Sequence, residues 1–259
     1  MMKKTIMALA LATTAVSGSA LAWNANGTGG SLELGGKLIP KASVTVWEVL
    51  VSQDVTGLDA NIKPGATTID IPVTKPITVL GIRTLSNEPI QGATGISPQI
   101  NYSNAIDTTK FNASLAPLTL EMKDEQQNKI GMLSTNIYAA ALISTVNAGS
   151  TSLQASMYAP NTGSGFFGGL PTIKTQTESN PIARLNVINA QFSENFNTQN
   201  TELANSVIES RFDSTSTKFS AYYGAGIESG QTMKLTLNTP AGSDSIKWKA
   251  SMPITVSYQ

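Results

Sequence analysis

Hydrophobic and polar residues alternate in many short runs along this 259-residue chain. Alternation puts the apolar side chains on one face of a strand, and Gly, Pro, Asn and Ser separate the runs as turn residues. Many short strands at this spacing favour a mainly β fold, a sandwich or barrel with Greek-key connections. The predicted strands cover residues 43–51, 67–73, 77–82, 115–122, 130–143, 217–227, 232–238 and 246–259.

The last run, IKWKASMPITVSYQ, is a very regular one-sided strand. Pro253 lies within it, and proline suits a strand end or an edge strand better than a strand centre. Chain ends usually fray unless something holds them, so the sequence predicts a partner for this strand. Its apolar face consists of Trp248, Ala250, Met252, Ile254, Val256 and Tyr258.

The apolar spacing changes to three and four between residues 183 and 212, which favours helix. Residues 200–212, NTELANSVIESRF, predict an amphipathic helix with an Asn or Thr cap and Glu202 in its first turn. A glycine-rich loop, NTGSGFFGGLP, precedes this region at residues 161–171. We therefore predict one β domain over residues 41–259, with an insertion at about 155–214 that carries one or two helices.

The first 22 residues predict a secretory signal peptide. The basic start MMKK is followed by an apolar stretch too short to span a bilayer, and ALA at residues 20–22 offers a cleavage site. We expect export and a mature chain that begins at Trp23. No later stretch is apolar enough over a sufficient length to predict a membrane span.

Composition excludes several classes of function. Removing Lys3 and Lys4 from the 17 basic residues leaves 15 against 17 acidic ones, and such a weakly charged chain does not fit nucleic-acid binding. The chain has no Cys, and therefore no disulfide, and no His, which removes the commonest general base and zinc ligand. The carboxylate pairs Asp124–Glu125 and Glu194–Glu202 have no partner in the sequence that predicts acid–base chemistry. We expect no catalytic site, metal or cofactor, and a polysaccharide-cleaving enzyme is a disfavoured alternative.

The start of the mature chain has its own one-sided pattern. Residues 23–40, WNANGTGGSLELGGKLIP, begin with polar and glycine residues that cannot hold structure alone. An alternating stretch follows, whose apolar face would carry Leu32, Leu34, Gly36 and Leu38. In a generic β domain this stretch could pair with the last strand inside one sheet, and the pattern alone leaves that alternative open.

Several stretches together resemble a known family. They are AW…GSLELGG near the start, KPITVLGIRT at residues 75–84, AYYGAGIESGQTMKLTLN at residues 221–238 and KWKASMPITVSYQ at the end. With the signal peptide and the penultimate tyrosine, they resemble the FaeG-type fimbrial subunits of enterotoxigenic enterobacteria, which are assembled by the chaperone/usher pathway. The resemblance is weak between residues 147 and 212.

The resemblance implies an immunoglobulin-like sandwich that lacks its last strand. A periplasmic chaperone would pair with residues 248–258 and bind the C-terminal carboxylate, and an outer-membrane usher would assemble the fibre on the cell surface. In the fibre, residues 23–40 of a neighbouring subunit would fill the gap, with the four alternating residues of the extension as its donor face.

The resemblance also implies a role in binding host glycans, with the ligand surface on the insertion. On physical grounds the candidate contacts are Tyr158, Phe166 and Phe167, since an exposed aromatic ring can stack on a sugar. The alternative, favoured about two to one, is that these rings pack the insertion onto the sandwich. A minor structural or adaptor subunit without receptor binding is the alternative function.

Overall fold

The structure, a computed structural model, describes residues 34–37, 45–147 and 152–259. The chain divides into two units, residues 1–42 and 43–259, and only residues 34–37 of the first unit are described. The predicted signal peptide, Leu32 and Leu38 lie outside the described residues. Among the described residues, no helix has the length and apolar character needed to cross a membrane.

The second unit is mainly β, and its sheets do not close into a barrel, which is consistent with the predicted sandwich. Within the described ranges, one α-helix and three short 3-10 helices, at Thr108–Lys110, Lys174–Gln176 and Ala190–Ser193, interrupt the strands. The strands and the helix are β1 Trp47–Val51, β2 Thr68–Pro72, β3 Ile77–Thr84, β4 Ile90–Gln91, β5 Pro98–Asn101, β6 Leu115–Lys123, β7 Lys129–Asn147, β8 Leu153–Met157, α1 Ile182–Ile188, β9 Leu203–Ile208, β10 Thr217–Ile227, β11 Thr232–Leu237, β12 Lys249–Ala250 and β13 Thr255–Tyr258.

The 19-residue strand β7 connects two groups of strands. Its first half pairs with β6 and β11, and beyond them lie β12 and β2. Its second half pairs with β8 and β10, and beyond them lie β9 on one side and β3 and β1 on the other. The C-terminal strand β13 pairs with β5 in a separate two-stranded sheet.

Alternate residues of β7 and β10 serve two different cores. Ile137, Ala139, Ala141 and Ile143 belong to the main core, which also holds the largest set of buried side chains. Tyr138, Ala140 and Leu142 point the other way and form a second cluster with residues of the insertion: Leu185, Ile188 and Phe192. α1 and the 3-10 helix at Ala190–Ser193 therefore cover this face of the sheet by ordinary apolar burial.

Two strand glycines make room for the insertion. A Cβ at Gly81 would lie 2.8 Å from the ring of Phe192, and a Cβ at Gly224 would lie 2.4 Å from the same ring. Glycine weakens a strand, but it allows another group to approach the backbone closely. The two glycines therefore allow the ring of Phe192 to pack directly against the backbone of β3 and β10.

Arg184 of α1 fixes the insertion electrostatically as well. Its guanidinium donates to both carboxylate oxygens of Glu228 (2.8 and 2.7 Å) and to Glu178 (2.8 Å), and it stacks 3.9 Å above the ring of Tyr138. Tyr138 Oη donates to Glu178 in turn, at 2.8 Å. The bidentate pair to Glu228, at the end of β10, ties the helix to the sheet.

The strand predictions are confirmed for all eight predicted runs, although the last run forms two short strands instead of one. Pro72 ends β2, where a proline is tolerated, and Pro253 lies between β12 and β13. The helix predicted over residues 200–212 is wrong: these residues include β9, which pairs in parallel with β8. Gln199 and Asn200 have positive φ angles of 51° and 59°, so a turn stands where the helix would begin.

Candidate functional site: an unpaired edge at the C-terminal strand

Residues 246–259, here called the terminal run, are held by their own chain on one edge only. β12 pairs with β6, and β13 pairs with β5. Neither strand has a second partner strand in the described part of the chain. The side chains on the predicted apolar face from Trp248 to Val256 are half-buried and pack against the main core, whereas the alternate side chains are exposed. An incompletely covered apolar row beside a free edge is therefore the main feature of this surface.

The hydrogen bonds of β13 identify which backbone groups face the free edge. Ser97 N–H donates to Gln259 O (2.9 Å), and Gln259 N–H donates to Ser97 O (3.1 Å). Such reciprocal pairs recur at every second residue of an antiparallel ladder, so Thr255 and Ser257 also bond to β5. The N–H and C=O groups of Val256 and Tyr258 consequently point to the free edge.

The apolar side chains and the free backbone groups of the terminal run thus belong to the same residues. The alternating exposure continues through Met252 and Ile254, which extends this register to the stretch between the two strands. In the same register, the backbone of residue 253 faces the inner edge, which is the edge that pairs with β6 and β5. Proline has no N–H to donate, but at this position the free edge loses no donor. Outward-facing backbone groups therefore recur at every second residue along the seven residues from Met252 to Tyr258.

The strand β1 is a second apolar edge near the same end of the domain. It pairs only with β3 among the described strands. Trp47 is buried, and its indole N–H donates to Ile96 O at 2.6 Å, next to the Ser97–Gln259 pair. Val49 and Val51 share the parity of Trp47 but are 42% and 53% exposed. Core-side valines that remain open to solvent indicate that the sandwich is uncovered here.

The beginning of the terminal run borders an open depression of about 400 Å³. Ile130, Leu237 and Ile246 form its apolar part, and the ion pair between Lys247 and Glu125 (3.0 Å) lies at its rim. The apolar surface along the terminal run therefore continues beyond Trp248.

Of the four predicted donor residues, the structure describes Leu34 and Gly36. Leu34 is 88% exposed, and residues 34–37 have no regular secondary structure. No heavy atom lies within 4 Å of a Cβ built on Gly36. The role of this segment as a donor strand is taken up below as a proposal.

The three aromatic candidates for glycan contact lie in different environments. Phe166 is fully buried, stacks on Tyr223 and meets Trp47 and Phe212 edge to face, with ring centroids 5.6–5.7 Å apart. The prediction that Phe166 contacts a glycan is therefore wrong, because this ring packs the insertion onto the core. Tyr158 and Phe167 are half-buried, and they remain candidates.

The carboxylate pairs considered in the sequence have structural partners. Asp124 accepts hydrogen bonds from the side chain and backbone N–H of Asn128 and from the backbone N–H of Gln126, and these bonds lower the pKa of Asp124. Glu194 forms an ion pair with Arg83 at 2.9 Å. Among the described residues, no cluster of acidic side chains could hold a metal ion.

Sequence reasoning missed β5, the strand that holds the C-terminal strand. Its four residues, PQIN, begin with proline and contain one β-branched residue, so they carry almost no strand signal. Among them Gln99 is a buried polar residue whose amide bonds to the glycine-rich loop. Only the three-dimensional pairing reveals its role.

Comparison with known proteins agrees with the geometry. The model of the family described as "Fimbrial, major and minor subunit" matches residues 2–259. The K88 fimbrial proteins AC and AB of Escherichia coli are each 28% identical to this chain, over 99% of the chain and 100% of their own length. The K88 fimbrial protein AD of the same organism has the same identity and coverage. On this evidence, the chain belongs to the K88-type family of fimbrial major and minor subunits.

Proposed function

We propose that this fimbrial subunit polymerises by donor-strand exchange, through the chaperone/usher pathway. The observation that carries the proposal is the free edge of the terminal run, with its half-buried apolar row. Strand addition takes affinity from main-chain hydrogen bonds and specificity from alternate side chains that enter pockets. The terminal run offers both on the same residues.

Family membership identifies the chain as a fimbrial subunit and not an enzyme, and it implies a cell-surface fimbrium in which subunits contact one another. The N-terminal segment of the neighbouring subunit is the proposed strand. Its alternating face, Leu32 to Leu38, spans seven residues, as does the row from Met252 to Tyr258. Burying a leucine contributes roughly 1.5–3 kcal/mol, so three leucines could contribute about 4.5–9 kcal/mol before ordering costs. This is comparable to the stability of a small domain.

A free apolar edge also explains the need for a periplasmic chaperone. Unpaired strand edges with apolar side chains promote aggregation, so the subunit must be capped before it reaches the usher. The chaperone is proposed to add its own strand beside the terminal run and to bind the C-terminal carboxylate.

The test is a subunit that lacks Tyr258 and Gln259, co-produced with the chaperone. This truncation removes the last apolar side chain of the row and the Ser97–Gln259 backbone pair, and we expect the subunit to be degraded instead of accumulating in the periplasm. The substitution Gln259→Ala, which keeps the backbone and the chain length, is the control. Normal periplasmic accumulation of the truncated subunit would contradict the proposal.

Adhesion to host glycans is a second candidate function, and Tyr158 and Phe167 are its remaining aromatic candidates. The burial of Phe166 favours the alternative of a minor structural or adaptor subunit without receptor binding, because this ring serves packing. A glycan array probed with the subunit, complemented by a donor peptide, separates the two. Glycan binding that Phe167→Ala abolishes would support adhesion, and the absence of binding would support the structural role.

A further inference from the structure

The glycine-rich segment 163–169 packs against β5, the strand that holds β13. Phe166 N–H donates to Pro98 O (2.7 Å), and Ile100 N–H donates to Phe167 O (2.8 Å). These bonds use the edge of β5 opposite to β13, and Gln99 forms a parallel bridge with Phe167. β5 is therefore held between the segment on one side and the C-terminal strand on the other.

The side chain of Gln99 completes this attachment. It is 7% exposed. Its Nε2 donates to Ser164 O (2.9 Å) and to Pro98 O (3.0 Å), and its Oε1 accepts from Gly163 N–H (3.0 Å). A buried amide that bonds at both ends holds two segments in one relative position, and losing it leaves buried groups unpaired.

The backbone of segment 163–169 is adapted to this close contact with β5. Gly168 has φ +83°, and a Cβ there would lie 2.0 Å from Ile100 O. Phe166 also adopts a left-handed φ of 62°, which costs energy in a residue other than glycine, while its ring fills the core beneath β1 and β5. Strain of this kind persists only where the surroundings fix it.

We infer that segment 163–169 is a clamp that positions the C-terminal strand for its incoming partner, and that Gln99 is the positioning residue through which it acts. This inference rests on the proposed function of the free edge. Because β5 is bonded on both edges, a strand added beside β13 restrains β5 and, through it, the segment of the insertion. Binding of a strand at the free edge is thereby coupled to the position of segment 163–169.

Hydrogen exchange on the mature chain, kept dilute, tests the coupling. The added probe is a synthetic peptide of residues 30–40, GSLELGGKLIP. We expect the peptide to slow exchange at residues 254–258, at residues 163–169 including the amide of Phe166, and at the amide of Ile100 in β5. Protection at residues 254–258 alone would overturn the clamp while leaving the proposed function intact. Protection at neither stretch would overturn both.

A pair of variants separates positioning from general stability. Gln99→Met keeps the side-chain length but removes the amide, and we expect peptide affinity to fall about tenfold, the equivalent of one hydrogen bond in a buried site. Gln154→Met changes another buried glutamine, in β8, and should leave peptide affinity unchanged even where it lowers the melting temperature. Gln99→Glu places a buried carboxylate oxygen against the carbonyl oxygens of Ser164 and Pro98, so it should bind the peptide at least as weakly as Gln99→Met. Equal affinities of both methionine variants would overturn the positioning role.

Discussion

Val256→Pro is the sharpest perturbation of the free edge. In the register set by Ser97 and Gln259, the N–H of Val256 points away from β5, so proline there leaves the β5–β13 ladder intact. Proline is tolerated on an edge strand when its nitrogen faces solvent. The isolated subunit should therefore fold normally, while an incoming strand loses one donor at the middle of its contact.

The loss of affinity caused by Val256→Pro can be estimated from the hydrogen bond that is lost. One backbone carbonyl of the added strand would be left unpaired, at a cost of about 1–3 kcal/mol. That corresponds to a loss of affinity of roughly 5- to 150-fold for the peptide of residues 30–40. The pyrrolidine ring also occupies the space where the added strand must approach, so the upper part of this range is expected.

Titration of the peptide against the wild type and three variants checks the prediction. Val256→Ala trims the half-buried side chain but keeps the N–H, and it should weaken binding less than Val256→Pro. Pro253→Ala restores an N–H on the inner edge and should leave affinity within about twofold. Equal affinity of Val256→Pro and wild type, with both folded by circular dichroism, would refute the assignment of the free edge.

Three further predictions concern other parts of the chain. Leu34→Asp should abolish fibre formation without changing the melting temperature of the monomer, because Leu34 is 88% exposed; fibres in normal yield, seen by electron microscopy, would contradict its donor role. Phe166→Ala should lower the free energy of unfolding in urea by about 3–5 kcal/mol, as for other buried aromatics, whereas half-buried Phe167→Ala should cost less; the reverse order would contradict the packing described. Burial raises the pKa values of Tyr102 and Tyr223, so their contribution to stability is present below pH 10 and declines above it. Thermal melts should therefore show a melting temperature that falls above pH 10, and Tyr102→Phe should reduce that slope.

Much of the sheet could be predicted because its strands carry their own periodicity. The prediction for β10 has the observed bounds, Thr217–Ile227, and β3 and β11 differ from prediction by at most two residues. Each of these runs combines β-branched or aromatic residues with flanking turns, so local preference and burial agree.

The errors arise where local preference is weak and tertiary contacts decide. Leu203, Val207 and Ile208 fit a helical face by spacing, but the edge of β8 is available to residues 203–208 and pairs with them in parallel. In the same way β5 has too little signal to be recognised, since its pairing comes from the glycine-rich segment and the C-terminal strand.

The sequence predicts the apolar face of the candidate site, but it does not predict which edge of the terminal run stays unpaired. Alternation identifies the apolar face of the terminal run, because side-chain direction follows directly from strand parity. It does not say which edge the chain itself uses, and that depends on β5 and β6, which lie more than a hundred residues earlier.

The position of Pro253 acquires a physical reason once the two edges are distinguished. A proline at an even position of the terminal run would remove a donor from the row that faces outward, whereas at residue 253 it removes one from the inner edge. There the terminal run passes from β6 to β5, and neither pairing includes residue 253. The missing N–H of Pro253 therefore breaks no hydrogen-bond ladder among the described strands. The inner edge of the terminal run is interrupted at this residue, whereas its free edge is continuous. A strand whose own pairing is divided into two short pieces depends more on an external partner, which fits a subunit that is completed only when another chain is added.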